Sequence, residues 1–279
     1  MIRYFSFGQY TCRIIGNKQL INLIPDSWSK FAQVQASPKI IQLFLEEKEL
    51  ESGKEETDGW FISEKQGLTG ATYFQSKKLL FSLYFSDPHE VTIVVRNALD
   101  NYIRTGVHYG LMLGLYQECI GMHGVTILCG NEIVLLSAPS GTGKTTLAKL
   151  LEKYCDAIII NGDFALLSLT DESVIFEPTP FCGTSGRSLN HRFRVSRVVF
   201  LSQAKTNVWS ELNGREAMTQ FMSNVFVPTW DYQMQQTVQN NILRCISMLK
   251  VNAYAFEPTQ EAAEVFLKEV EGDSSQRSE

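Results

Sequence analysis

The stretch "LLSAPSGTGKTTLAKLL" (residues 135–151) reads as an apolar strand, then a loop of small residues, then a helix carrying Lys144, Thr145 and Thr146. The middle fits the phosphate-loop pattern G-x-x-x-x-G-K-[ST], with Ala138, Pro139, Ser140, Gly141, Thr142, Gly143, Lys144 and Thr145 in its eight positions and Ala138 in place of the first glycine. Each residue type has a reason. Gly141 and Gly143 permit the backbone twist that turns successive N–H groups inward at a phosphate chain. The helix beginning near Lys144 adds the positive end of its dipole. Lys144 can reach the outer phosphates as a point charge, and the Thr145 hydroxyl suits Mg²⁺. Gly141, Gly143, Lys144 and Thr145 are therefore the expected phosphate-binding residues.

A loop of this kind also serves motors, transporters and switches. The N-K-x-D base-reading motif of common GTPases and the L-S-G-G-Q signature of ABC ATPases are both missing. Phosphoryl transfer needs a carboxylate near the metal, usually at the end of a neighbouring strand. "DAIIINGD" (residues 156–163) supplies one, Asp163, a single helix and strand after the loop. His123 precedes the expected strand "GVTIL", which "CGN" joins to "EIVLLS" as a hairpin. It is either a structural histidine or, if the hairpin folds its start back beside the loop, a group that polarises a phosphate oxygen or assists proton transfer from an acceptor. Arg187, in the polar loop "TPFCGTSGRSLN", is either an exposed loop cation or a stabiliser of transition-state charge; Asn190 and Arg192 are weaker candidates.

The flanking sequence bounds the rest. The chain has 279 residues, 44% hydrophobic and 20% charged, with a formal net charge of -5. That size supports one large domain or two ordinary ones, and the acidic balance argues against a nucleic-acid binder. Six cysteines lack paired or C-x-x-C spacing and read as reduced thiols. The first residues lack a signal peptide's apolar core, and no apolar run reaches the ~20 residues that span a bilayer. A cytoplasmic protein without membrane or nucleic-acid partners is expected. Residues 1 to about 95 look β-rich, with the charge run "LEEKELESGKEETDGW" as a solvated segment and "SDPHE" as a turn. Leu99, Ile103, Val107, Leu111 and Leu115 recur at helical spacing, with His108 structural. Beyond the loop, "FALLSL", "SVIFEP" and "RVVFLSQ" read as strands. "GREAMTQFMSNV", "YQMQQTVQNNILRCISML" and "TQEAAEVFLKEV" read as amphipathic segments.

The order "MHGV", hairpin, phosphate loop, acid-ended strand resembles the catalytic core of HPr kinase/phosphorylase, of the phosphoenolpyruvate carboxykinase-like group of P-loop folds. The blocks "APSGTGKTT", "IIINGD", "PTPFCGT" and "VVFLSQ" are similar to those of bacterial HPr-serine-kinase-like proteins, over about residues 118 to 270. The resemblance implies an α/β chain (α+β overall): a β-rich N-terminal domain with a linking helix (1–117), a P-loop HPr kinase-like domain (118–271) and a frayed tail (272–279). It implies an ATP- and Mg²⁺-dependent kinase that transfers the γ-phosphate to a hydroxyl of a protein, peptide or small molecule. Ser140, Gly141, Thr142, Gly143, Lys144, Thr145 and Thr146 would form the nucleotide cradle, Lys144 would contact the γ-phosphate, Thr145 and Asp163 the metal, and His123 would lie beside the transferred phosphate. The N-terminal domain would select the acceptor. Relatives of this kind are often oligomers, so a homo-oligomer is compatible. One departure is plain: Gly162 stands where the family has the first of two aspartates, the one linked to activating the acceptor. The alternative is a nucleotide-binding regulatory or scaffold protein with little or no transfer. A phosphorylase or a carboxykinase-type lyase is a further reading, but a carboxykinase's Lys, His and arginine set cannot be assigned.

Overall fold

The computed structural model describes residues 1–31, 39–48, 58–65, 68–75, 78–87, 89–96, 98–183 and 186–275. Most of the charge run, Thr184 and Ser185 of the polar loop, and residues 276–279 lie outside the described residues. The chain is mixed α/β, with two sheets and six α-helices among the described residues, and it divides into two units. The first comprises Met1–Gln117 and Pro228–Thr237, the second Glu118–Val227 and Val238–Glu279. Residues 228–237 thus group with the first unit, whereas sequence pattern left them in the later domain.

In the first unit the elements are β1 (Ile2–Phe7), β2 (Tyr10–Ile15), α1 (Lys18–Asn22), β3 (Lys39–Glu47), β4 (Gly59–Lys65), β5 (Leu68–Gln75), β6 (Lys78–Asp87), β7 (Glu90–Val95) and α2 (Asp100–Gly114). The strands form one sheet, ordered β1-β2-β3-β7-β6-β5-β4. Alternation is visible in β2, where Tyr10, Cys12 and Ile14 are buried while their neighbours are half-buried. The helix read from Leu99 to Leu115 is α2. It lies close on the sheet because Gly106 and Gly114 face it: a Cβ on Gly106 would come 2.8 Å from Ile93 Cγ2, and one on Gly114 2.9 Å from Ile41 Cγ2.

The second unit contains β8 (Cys119–Cys129), β9 (Glu132–Ser137), α3 (Lys144–Tyr154), β10 (Ile158–Asn161), β11 (Phe164–Leu169), β12 (Val174–Glu177), β13 (Phe193–Val195), β14 (Arg197–Gln203), β15 (Val208–Glu211), α4 (Gly214–Asn224), most of α5 (Tyr232–Met248), β16 (Lys250–Phe256) and α6 (Gln260–Ser275). Its sheet runs β13-β12-β11-β8-β9-β14-β16-β15, with β10 on β8 as well. β9, β14 and β16 are mutually parallel, and the expected hairpin is the antiparallel pair β8–β9. Leu147, Ala148 and Leu151 of α3 and Ala262, Ala263, Phe266 and Val270 of α6 share a buried core with Val125, Ile127, Val134, Leu136, Val199 and Phe256 of the sheet. Each large aliphatic or aromatic side chain buried there contributes roughly 1.5–3 kcal/mol of transfer free energy.

Four details differ from the sequence reading. β8 begins at Cys119, so His123 sits inside the strand rather than before it; Gly121, Met122 and Gly124 hide that half from any β-propensity pattern. β10 ends at Asn161, leaving Gly162 and Asp163 in a bend. β13, β15 and β16 were not expected: β13 is three residues long, β15 is largely exposed, and in β16 Asn252 breaks the apolar run to accept a hydrogen bond from buried Arg197. Finally, α6 continues to Ser275, so residues 272–275 are helical rather than frayed.

Gly124 is required where β8 meets β9. A Cβ there would lie 2.8 Å from the Leu136 carbonyl oxygen and 2.7 Å from Leu135 Cδ1. Gly124→Ala is expected to destabilise the chain by about 1–3 kcal/mol through forced separation of the pair. The urea midpoint checks this; an unchanged midpoint would show that the strands can part without cost.

Candidate functional site

β8 brings the site together by changing partners along its length. Its second half pairs with β9 on one side (Gly124↔Ser137) and with β10 on the other (Thr126↔Asn161). Both partners run antiparallel to β8, so both end at the same edge. The loop after β9 and the bend after β10 therefore emerge beside His123. After the bend at Gly162–Asp163 the chain continues in the same direction as β11, pairing with the first half of β8 (Phe164↔His123). Gly124 N–H donates to Asp163 O (2.9 Å) and Ser137 Oγ donates to His123 O (2.8 Å), binding the bend and the start of the loop to the same strand.

The loop has the expected twist. Gly141 and Gly143 have φ of 81° and 108°, in the left-handed region that glycine enters without penalty. Ala138 is not among the positive-φ residues and is buried in the core, so alanine is acceptable where the pattern has its first glycine. Gly143 is the N-cap of α3 and supplies no side-chain cap, so the first-turn N–H groups are not claimed by a capping side chain. Ser140, Thr145 and Thr146 are exposed there. Lys144 is buried, and its Nζ donates to Ala138 O (2.7 Å) and Pro139 O (3.1 Å), arching over the loop.

His123 Nδ1 lies 3.6 Å from Asp163 Oδ1, with both side chains about two-fifths exposed. Burial is the largest influence on the imidazole and lowers its pKa; the Lys144 charge lowers it further, while Asp163 opposes both through its carboxylate and a backbone hydrogen bond. Burial also lowers the Lys144 pKa, again opposed by Asp163. Thus His123, Lys144 and Asp163 sense one another. The bias is toward a neutral imidazole, able to accept a proton at neutral pH.

Three further features shape the acid. Asn161 Oδ1 accepts from Asp163 N (3.1 Å) and Phe164 N (3.2 Å), closing the bend. Gly183 (φ 56°) abuts Asp163, where a Cβ would lie 2.7 Å from the carboxylate carbon. Ser188 forms a bridge with Asn161. The sequence reading passed over Asn161 and Gly183; the "NGD" turn was the available signal for Asn161.

Arg187 is not brought to the acid. Its backbone O accepts from Gly162 N (3.3 Å), but its guanidinium pairs with Glu152 in the last turns of α3. Glu152 is eight residues beyond Lys144, about 12 Å along the helix at the usual rise. Arg192 binds buried Glu177 in a fork (2.7 and 3.0 Å), which removes it from candidacy; Asn190 is exposed beyond the bend.

Among the described residues no group of three or more His, Cys, Asp or Glu converges to hold a metal. A divalent ion here would depend on Thr145, Asp163, phosphate oxygens and water, a pattern that suits Mg²⁺. A cleft of about 700 Å³ lies at the other end of the sheet, lined by Glu132, Ser196 and Lys250 at the starts of β9, β14 and β16. The loop end is the candidate site, because parallel strands present ligands at their C-terminal edge and Glu132 is already engaged by Arg197 and Lys250. No described helix is long and apolar enough to cross a membrane.

No model of a known protein family matches the chain, and no curated protein matches it. Among solved structures, the HPr(Ser) kinase/phosphatase from Coxiella burnetii is similar over 57% of this chain and 99% of its own, at 11% identity and a TM-score of 0.34. A likeness that low carries no argument about fold or activity.

The electrostatics predict a titration. In the full chain His123 is expected to titrate below the ordinary imidazole value of about 6.5. Asp163→Asn removes a charge that raises the midpoint, so the midpoint should fall further, whereas Lys144→Ala should raise it. NMR of the His123 ring across pH checks both signs. A rise in Asp163→Asn would mean that the two side chains do not face each other in solution.

Proposed function

We propose that the chain is an ATP- and Mg²⁺-dependent phosphotransferase of the HPr-kinase-like kind, with a P-loop domain, acting on a hydroxyl acceptor. The observation that carries this reading is the convergence of His123, Lys144 and Asp163 at the edge where a glycine-twisted loop opens a helix. The donor set fits the group it would hold: a hard hydroxyl and a hard carboxylate, Thr145 and Asp163, with a lysine for the phosphates. Mg²⁺ held by those two residues would neutralise charge on the phosphate oxygens.

The chain's own groups divide the work. The N–H groups of residues 140–146 and Lys144 bind and orient the triphosphate. The acceptor oxygen forms its bond to the γ-phosphorus as the bond to the β–γ bridging oxygen breaks, and ADP leaves with that electron pair. The acceptor's proton passes to the neutral imidazole of His123, and Asp163 stabilises the imidazolium that results. Lys144 absorbs charge on the transferring group. Arg187 holds Glu152 with its guanidinium, and joining the site would exchange that pair for a phosphate oxygen. That exposed pair is weak, so its exchange for a phosphate oxygen is energetically open.

One second reading has its own support. Gly162 brings no second carboxylate to the bend and Arg187 is engaged elsewhere, which favours a nucleotide-binding regulator that transfers slowly or not at all.

Mg²⁺·ATP turnover in the presence of candidate hydroxyl acceptors, with mass spectrometry for added phosphate, separates the two. Lys144→Ala should lose transfer by roughly a hundredfold or more. His123→Ala should lower kcat by about a hundredfold or more while nucleotide affinity stays within a few-fold. Full transfer by His123→Ala would refute the proton role. Tight nucleotide binding with no product on any acceptor would favour the regulator.

A further inference from the structure

Asn161 is fully buried at the end of β10, yet its side chain serves the bend rather than the core. Its Oδ1 accepts from two successive backbone N–H groups, those of Asp163 and Phe164. Two donors at one atom also fix which end of the amide is oxygen. The remaining Nδ2 donates to Ser188 Oγ (3.4 Å), and Ser188 Oγ donates to Thr179 O (2.7 Å). Around this amide the backbone of the polar loop is fastened to the strand end: Leu189 N donates to Ile160 O (2.9 Å) and Gly162 N to Arg187 O (3.3 Å). Asp163 is at the apex of the bend so held, and Gly183 forms the wall behind its carboxylate.

The functional consequence follows from topology. β10 and β11 lie end to end along one side of β8, both antiparallel to it, and the ladder is interrupted between them by a local turn at Gly162–Asp163. In that turn the Asp163 and Phe164 N–H groups find their acceptor in the Asn161 side chain, an Asx-type turn. We infer that Asn161 is a positioning residue, whose buried amide sets the direction of the Asp163 carboxylate toward His123 and Lys144 and fastens the 186–190 segment beside them. For its effect on phosphoryl transfer this inference rests on the function proposed above; for the geometry of Asp163 it does not.

Three variants of the full chain test it: Asn161→Ala, which removes the acceptor; Asn161→Ser, which keeps a shorter neutral acceptor; and Asp163→Asn as reference. The first readout is the ring ¹⁵N signature of His123 at one neutral pH, with circular dichroism and thermal melting as checks on folding. Asn161→Ala should move the signature toward that of Asp163→Asn, and Asn161→Ser should restore most of the wild-type pattern. The second readout is Mg²⁺·ATP turnover. Asn161→Ala should lower kcat by about tenfold to a hundredfold with KM for nucleotide within about twofold, because a displaced reacting group costs rate more than binding. Should Asn161→Ala fail to fold, Asn161→Cys takes its place, filling more volume without a strong acceptor. A wild-type His123 signature in a folded Asn161→Ala or Asn161→Cys protein, where Asp163→Asn moves it, overturns the positioning role and leaves the proposed function standing. The expected signatures in a chain that transfers no phosphate support the positioning role and remove the kinase reading.

Discussion

The structure of the second unit depends on one strand having three antiparallel partners. β8 holds β9 along one side and, on the other, β10 and then β11. Because β9 and β10 run the same way on either side of it, the phosphate loop and the acid-bearing bend leave the sheet together. Because β11 carries on from β10 along the first half of β8, the bend between them lies beside His123. Gly124 lies at the changeover, where the Leu136 carbonyl oxygen leaves no room for a side chain. The backbone ladder is therefore what brings the segments that carry the three chemical groups to one edge.

Once they are neighbours, their charges adjust one another. Lys144 disfavours protonation of His123, Asp163 favours it, and burial disfavours charge on both His123 and Lys144. Burial and the Lys144 charge bias the imidazole toward its neutral form, while the Asp163 carboxylate opposes the fall in the lysine pKa that burial causes. That division suits a base beside a phosphate-binding cation. Arg187 follows a different logic: its backbone is fastened to the bend while its guanidinium is held by Glu152, so it belongs to the site only by chain path.

The two ends of this sheet carry different chemistry for the same topological reason. Where the parallel strands end, backbone and side chains are presented to solvent around the loop. Where they begin, Arg197 donates to Glu132 and to Asn252, with its guanidinium 5.6 Å from the Trp209 ring centroid. Buried hydrogen bonds of this kind anchor strands to one another; the loop edge, with His123 and Asp163 half-exposed, is open to solvent.

By itself the sequence determined the local pieces. The β9–loop–α3 unit was legible because left-handed glycines, a lysine at the helix start and flanking apolar residues are local requirements with few substitutes. The α2 helix and the β8–β9 hairpin were legible from periodicity and a glycine turn. The start of β8 was not, because Gly124 is there for a close approach to β9 and Gly121 and Met122 carry no strand preference of their own. β16 was obscured by Asn252, placed there for a partner on β14. Among the site residues, Lys144 and Thr145 could be assigned from the loop alone. Whether His123 met Asp163, whether Arg187 faced the acid, and what Asn161 did rested on strand pairing between segments far apart in the chain. Only the tertiary structure decided those, since register and strand direction are collective properties of the sheet that no single segment carries.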